Sequence, residues 1–218
     1  MVRQARSELT RRKIITSAVD LFSEFGYAAT GLGDIIDRAD LTKGALYYHF
    51  DSKESLATAV IVEGGVNVLG TFRSISESSS PALENIIHGQ FVVTEFIRTD
   101  QLARVAVQLL RAFGGFNEAA GHIYAGWLDE VTNRVRHATA EGDVRSDLDP
   151  TAIAELILDT ILGSELLSHA TAGGADLRER VTRTWEILLP AFVSDESLDY
   201  FREFLARESL RRSQPPAY

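Results

Sequence analysis

Residues 32–50 read Leu32-Gly33-Asp34-Ile35-Ile36-Asp37-Arg38-Ala39-Asp40-Leu41-Thr42-Lys43-Gly44-Ala45-Leu46-Tyr47-Tyr48-His49-Phe50. The spacing predicts a short helix over Leu32 to Ala39, a three-residue turn Asp40-Leu41-Thr42, and a second short helix from Lys43 to about His49 with Thr42 as its N-cap. Longer helices are predicted on both sides. One runs from Ser7 or Thr10 to Phe25, presents Ile14, Ala18, Leu21, Phe22 and Phe25 on one face, and stops at Gly26. The other opens at Asp51 with a capping box to Glu54 and continues to about Ile75. Two short helices joined by a tight turn and braced on each side make a helix-turn-helix, whose second short helix enters the major groove of DNA.

Each residue type in that second helix has a physical use. Helical spacing points Leu46 and Phe50 inward as anchors and leaves Lys43, Gly44, Tyr47 and Tyr48 on the other side, open to bases and phosphates. Gly44 allows close backbone approach. The free amides at Thr42 suit a phosphate oxygen, and Lys53 at the next helix start repeats the device. The bland readings are packing between helices for Tyr47 and Tyr48, and a helix-terminal imidazole for His49.

Charge runs in the same direction once it is divided. The 218-residue chain carries a net charge of -9, which by itself disfavours a phosphate partner. Residues 1–58, however, hold eight Lys or Arg against eight Asp or Glu, and all three lysines are among them. The opening segment sets Arg3, Arg6, Arg11, Arg12 and Lys13 against Glu8 alone; it reads either as a solvated face or as a DNA-contacting arm.

The rest of the composition is that of a soluble globular protein, with 45% hydrophobic and 24% charged residues. The absence of cysteine excludes disulfides, thiolate metal sites and cysteine nucleophiles and predicts a cytoplasmic protein. No export signal and no membrane span are expected, since apolar stretches are broken by charges and glycines. Apolar spacing near 3.6 predicts an all-α chain, with further helices at about 82–98, 101–112, 122–141, 150–169, 176–192 and 195–211. Asp149-Pro150 is an N-cap followed by Pro at N1, and Asp176 with Glu179 a second capping box. Loops are predicted at the Ser-rich 74–81 and the Gly-rich 114–117, with a frayed end at 214–216.

Residues from about Arg11 to Leu56, through RRKIITSAVDLFSEFGYAAT, LTKGALYYHF and DSKESL, resemble the DNA-binding domain of the TetR family of bacterial transcriptional regulators. The resemblance implies base or phosphate contacts at Lys43, Gly44, Tyr47, Tyr48 and His49 and a phosphate contact at Lys53; Thr42, Ala45 and, from the basic arm, Arg3, Arg6 and Arg11 complete the expected DNA-contacting set. Where the family often has Ser or Thr followed by a polar side chain, this chain has Gly31, Leu32 and Gly33, so contacts from the first short helix reduce to backbone amides. A division into a DNA-binding domain at 1–58 and a helical ligand-binding and dimerisation domain at 59–218 follows, with the 150–169 and 176–192 helices forming a four-helix bundle with their mates.

Trp127-Leu128-Asp129-Glu130-Val131, the Glu141-Gly142-Asp143-Val144 turn and the Leu177 to Trp185 segment resemble, more loosely, the γ-butyrolactone autoregulator-receptor branch of the same family. That resemblance implies an effector pocket walled by Trp127, whereas periodicity alone (Ile123, Trp127, Val131, Val135) reads as plain core. Candidate polar groups are Gln90, Gln108 and Thr160, and candidate lining residues Phe72, Phe91, Phe113 and Tyr124. Gly64-Gly65, inside the helix predicted to join the domains, reads either as a hinge or as a close-packing point. The expected partners are a palindromic operator duplex, a second copy of the chain and a small, largely apolar effector such as a γ-butyrolactone or another lipid, drug or metabolite. No cofactor or metal is expected. An enzyme is disfavoured because Gly-x-Ser-x-Gly, His-Glu-x-x-His, Gly-x-Gly-x-x-Gly and P-loop patterns are missing and the five histidines lack ligand spacing. A helical protein-binding adaptor remains the third reading, without an account of Lys43 and Lys53 at helix starts beside exposed tyrosines.

Overall fold

A computed structural model describes residues 2–76, 81–115 and 117–211, with side chains described from residue 4 and excluding that of Ser76. The central part of the Ser-rich loop, Phe116 of the Gly-rich loop, the Arg3 side chain and the 214–216 end lie outside the described residues. Among the described residues ten helices follow one another: α1 Val2–Phe25, α2 Leu32–Arg38, α3 Lys43–His49, α4 Lys53–Ser76, α5 Ala82–Thr99, α6 Gln101–Phe113, α7 Glu118–Glu141, α8 Pro150–Ala172, α9 Leu177–Phe192 and α10 Asp195–Leu210. No strand occurs among the described residues; Val144 and Val193 make an isolated antiparallel bridge.

Several boundaries differ from the expected ones for local reasons. The basic segment at the start is helical, so α1 begins at Val2 rather than at Ser7 or Thr10. The box opening α4 is formed by Ser52 and Ser55, not Asp51 and Glu54: the Ser55 amide donates to Ser52 Oγ at 3.0 Å and the Ser52 amide to Ser55 Oγ at 3.1 Å. Asn117 opens α7 four residues early by accepting the Ala120 amide at 3.0 Å. Asp149 caps α8 through the Thr151 amide at 3.1 Å, as expected. Asp176 makes no side-chain cap on α9. Its carboxylate instead takes hydrogen bonds first from Ser168 and then from Arg180, which hold it below the usual carboxylate range.

The chain forms two compact units, residues 1–68 with 99–123, and 69–98 with 124–218. In the first, Ile14, Ala18, Leu21 and Phe22 of α1 are buried with Ile35, Leu46, Leu56, Val60 and the apolar face of α6. Phe25 departs from the expected face and is 56% exposed. Gly26, at φ +82, ends α1 in the left-handed conformation that a Cβ disfavours. Tyr27 then packs edge-on between Phe22 and Phe113, at centroid distances of 5.4 and 5.0 Å. Gly64 and Gly65 are close-packing points within a continuous helix. A Cβ on Gly64 would lie 2.3 Å from the Ala106 methyl and 3.0 Å from the Leu102 carbonyl oxygen, and one on Gly65 would lie 2.8 Å from Ile123.

In the second unit, Leu83, Ile86, Ile87 and Phe91 of α5 share a core with Val131 and Val135 of α7, Ile153 and Ile157 of α8, and Trp185, Leu189 and Phe192 of α9. The start of α5 is tied to the end of α7 by the Ala82 amide on Glu141 Oε2 at 2.7 Å. Arg73 and Arg134 both reach Glu130, at 2.7 and 3.0 Å. Burial works to raise the Glu130 carboxyl, but those hydrogen bonds and charges outweigh it and hold the group below its ordinary value.

The expectation that no stretch is long and apolar enough to span a bilayer is corrected by α4. Its Lys53–Ile75 portion passes on length and composition, because three glycines and few charges do not interrupt a helix. Leu56, Ala57, Val60, Ile61, Val68 and Phe72 of that helix are buried in the protein, as in the core helix of a folded domain.

Candidate nucleic-acid interface and effector site

The Thr42 hydroxyl accepts the Ala45 amide at 3.2 Å and sets the start of α3. The preceding turn places Asp40 at φ 48, a left-handed conformation that Asp tolerates better than a branched residue. Leu46 is fully buried and Phe50 nearly so, which fixes the rotation of the helix. Thr42, Lys43, Gly44, Tyr47 and Tyr48 are consequently exposed, with Ala45 and His49 half-buried at the margin. The two tyrosines, at 43% and 75% exposure, are not interhelix packing residues. Lys43 lies over the Tyr47 ring at 5.7 Å and Tyr48 stands edge-on to His49 at 5.0 Å, an arrangement that spreads cationic, aromatic and hydroxyl groups along one face.

Two residues expected to contact DNA have protein partners. The Lys53 ammonium donates to the carbonyls of Tyr27, Ala28 and Thr30 at 2.9, 3.5 and 2.9 Å and stands 4.3 Å from the Tyr27 ring centre. Its three N–H donors are therefore directed at the loop after α1. Arg11 reaches Glu63 at 3.6 Å and stacks 5.7 Å from the Phe50 ring, bracing α1 against α4 and the end of α3. Arg6 is exposed on α1.

Of the residues expected around the effector, Trp127, Tyr124, Phe72, Gln90, Phe91 and Thr160 belong to the second unit, and Gln108 and Phe113 to the first. Trp127 is buried and meets Tyr124 edge-on at 5.7 Å. Gln90 is engaged in the core, where its Oε1 accepts the Trp185 indole N–H at 2.8 Å. Phe91 lies under the Arg178 guanidinium at 4.8 Å. Phe72 packs on Gly89, where a Cβ would come within 2.8 Å of its ring. The Thr160 hydroxyl donates back to its own helix, to Leu156 and Ile157 carbonyls at 2.9 and 3.0 Å.

The second unit also contains features that apolar periodicity did not reveal. A cleft of about 610 Å³ is bordered by Glu84, His88, Phe204, Arg207, Glu208 and Arg211, with His88 Nδ1 2.7 Å from the buried Glu208 carboxylate. Its charged walls do not suit an apolar effector. Thr94, on α5, is 4% exposed, and its hydroxyl makes no hydrogen bond among the described residues. No sequence signal singled it out, since Asn85 and Gln90 are also buried polar residues of α5. No group of three or more potential metal ligands occurs among the described residues.

Residues 14–60 match the family of bacterial regulatory proteins called tetR, and residues 79–194 match the tetracyclin repressor-like C-terminal domain. The chain belongs to the TetR family of helix-turn-helix regulators, whose members bind operator DNA as dimers and respond to small ligands. It is 31% identical to the A-factor receptor protein of Streptomyces griseus over 88% of this chain and 66% of that relative's length. A solved γ-butyrolactone receptor described as ArpA-like is 27% identical, with a TM-score of 0.76 over 94% of this chain and 98% of the other. CprB of Streptomyces coelicolor, solved in complex with its biological operator sequence, is also 27% identical, with a TM-score of 0.73 over 93% and 97%.

Proposed function

We propose that this protein is a cytoplasmic, non-enzymatic transcriptional repressor that binds a palindromic operator as a homodimer and is released by a γ-butyrolactone or a similarly apolar effector. Residues 1–58 read the DNA, and residues 59–218 bind the effector and dimerise. The observation that carries the reading is the exposed face of α3. Buried Leu46 and Phe50 hold Lys43, Gly44, Tyr47 and Tyr48 outward, the placement a recognition helix needs to reach base edges and phosphates. Two such helices in a dimer read half-sites about 34–36 Å apart, and an effector that favours another spacing releases the duplex by its differential affinity for the two states.

The effector assignment is supported by likeness to the A-factor receptor protein and the γ-butyrolactone receptors, and by the buried Trp127 with Tyr124 against it. The test is a mobility-shift titration with the duplex flanking the protein's own gene, with and without alkyl γ-butyrolactones, on wild type, Lys43→Ala and Trp127→Ala. Wild type binds and is released. Lys43→Ala loses at least tenfold in affinity with helicity and dimerisation intact, while Trp127→Ala binds DNA but responds weakly to lactone. Unchanged affinity of Lys43→Ala refutes the α3 assignment, and release by no lactone leaves a repressor with a different apolar effector.

A further inference from the structure

We propose that the Thr94 hydroxyl on α5 is a hydrogen-bonding anchor for the effector, so that the ligand taken by the second unit is a small apolar molecule carrying one oxygen positioned to meet it. The effector's role as a DNA-releasing lactone rests on the function proposed above; the anchor itself rests on the following geometry.

A threonine inside a helix ordinarily turns its hydroxyl back to the carbonyl four residues earlier. This chain does so repeatedly: Thr10 to Arg6 at 3.0 Å, Thr139 to Val135 at 3.0 Å, Thr160 to Leu156 at 2.9 Å, Thr171 to Leu167 at 2.7 Å and Thr182 to Arg178 at 3.0 Å. Thr94 has the same option on Gln90 and does not use it. Its Oγ1 is buried without a hydrogen-bond partner among the described residues. A buried hydroxyl without a partner is destabilising, and a residue kept in that state is a candidate for contact with something that arrives later.

The position suits an effector. Gln90 and Phe91 precede Thr94 by one turn on the buried side of α5, and the Gln90 side-chain Oε1 is already held by the Trp185 indole N–H. From the Ala82–Glu141 hydrogen bond that joins the ends of α5 and α7, Thr94 is twelve residues along one helix and Trp127 fourteen residues along the other. At about 1.5 Å per residue the two lie at similar distances, roughly 18–21 Å, from the shared anchor point. An aromatic wall and one polar group at comparable depth fit a ligand with an apolar body and one oxygen placed to meet Thr94. A hydroxyl both donates and accepts, so it serves a lactone carbonyl or an alcohol.

The experiment compares the full-length wild type with Thr94→Val, which keeps the shape and removes the hydroxyl, and Thr94→Ser, which keeps the hydroxyl. Thr94→Ala repeats the test should Val disturb packing. Binding of γ-decalactone, decan-1-ol and decane is followed by thermal shift and by release of the operator duplex. The anchor predicts that Thr94→Val without ligand melts no lower than wild type. It also predicts roughly tenfold weaker binding of lactone and alcohol, the worth of one hydrogen bond, with decane unaffected and Thr94→Ser close to wild type. A lower melting temperature with unchanged probe affinity assigns the hydroxyl to a structural water and overturns the proposal, as does failure of the wild type to bind any of the oxygenated probes. Alcohol binding that depends on Thr94, without release of DNA by lactone, keeps the anchor and removes the lactone reading. Equal release of wild type and Thr94→Val by lactone does the opposite.

Discussion

Three main-chain carbonyls of the loop after α1 converge on the Lys53 ammonium. A lysine there closes the Tyr27 to Thr30 loop, together with the Thr30 hydroxyl, which donates to the Gly26 carbonyl at 2.9 Å. Lys53→Gln is therefore expected to lower stability by about 1–2 kcal/mol, the scale of charge-assisted hydrogen bonds lost in a half-buried site. Operator affinity measured against salt separates this role from a phosphate contact. Lys43→Ala should reduce the slope of log K against log salt by about one, whereas Lys53→Gln should leave it unchanged. The residue types at these positions were legible in the sequence, but their roles were not equally so. Lys43 and Lys53 both stand at helix starts, and only the fold brings carbonyls 23–26 residues earlier onto one of them.

At the scale of elements, the Gly64-Gly65 pair decides how closely α4 approaches α6 and the start of α7. Gly64→Ala gains helix propensity of about 1 kcal/mol, yet its Cβ would collide with Ala106 and press on the Leu102 carbonyl. Overpacking of this kind costs about 1–3 kcal/mol, so a net fall in melting temperature is expected. Ala106→Gly should restore part of the loss in the double variant; additive losses would show that the contact is not the cause. A hinge would instead tolerate Ala and lose effector response. The Arg73–Glu130–Arg134 cluster joins the last turns of α4 to α7 within the second unit. Because the folded Glu130 carboxyl is held below its ordinary value, its contribution is present above about pH 4.3, the unfolded value. It is lost as pH falls through the lower folded value. Glu130→Gln should lower stability at neutral pH by about 1–2 kcal/mol, and the difference from wild type should shrink in acid-unfolding curves below pH 4. A constant difference across that range would show that packing, not charge, is responsible.

For the whole molecule, the α8 and α9 helices leave Leu156, Leu166, Leu167 and Ile187 exposed in one chain, Ile187 at 76%. In the dimer proposed above the mate covers such a surface, as the family resemblance implied for the 150–169 and 176–192 helices. Ile187→Asp should raise the concentration at which dimers dissociate by at least tenfold, given the 1.5–3 kcal/mol or so that a buried aliphatic side chain contributes. It should weaken operator binding in parallel, with helicity unchanged; light scattering across concentration measures the first effect and mobility shift the second. A stable dimer at all concentrations would place the seam elsewhere.

The sequence by itself determined the helical class, the helix-turn-helix and the outward face of α3. Each of these depends on local periodicity, on caps such as Thr42 and Asp149, and on stop signals such as Gly26, whose interactions span only a few residues. It mislocated the caps at Asp51 and Asp176, because Ser52 and the distant Ser168 compete for the same donors and acceptors. Only the tertiary structure decided that Lys53 faces carbonyls, that Gln90 belongs to Trp185, that Gly64 packs against Ala106 and that the buried Thr94 hydroxyl has no hydrogen-bond partner among the described residues. Those facts depend on which side chains from remote parts of the chain come within hydrogen-bonding or van der Waals distance, and no helical period contains that information.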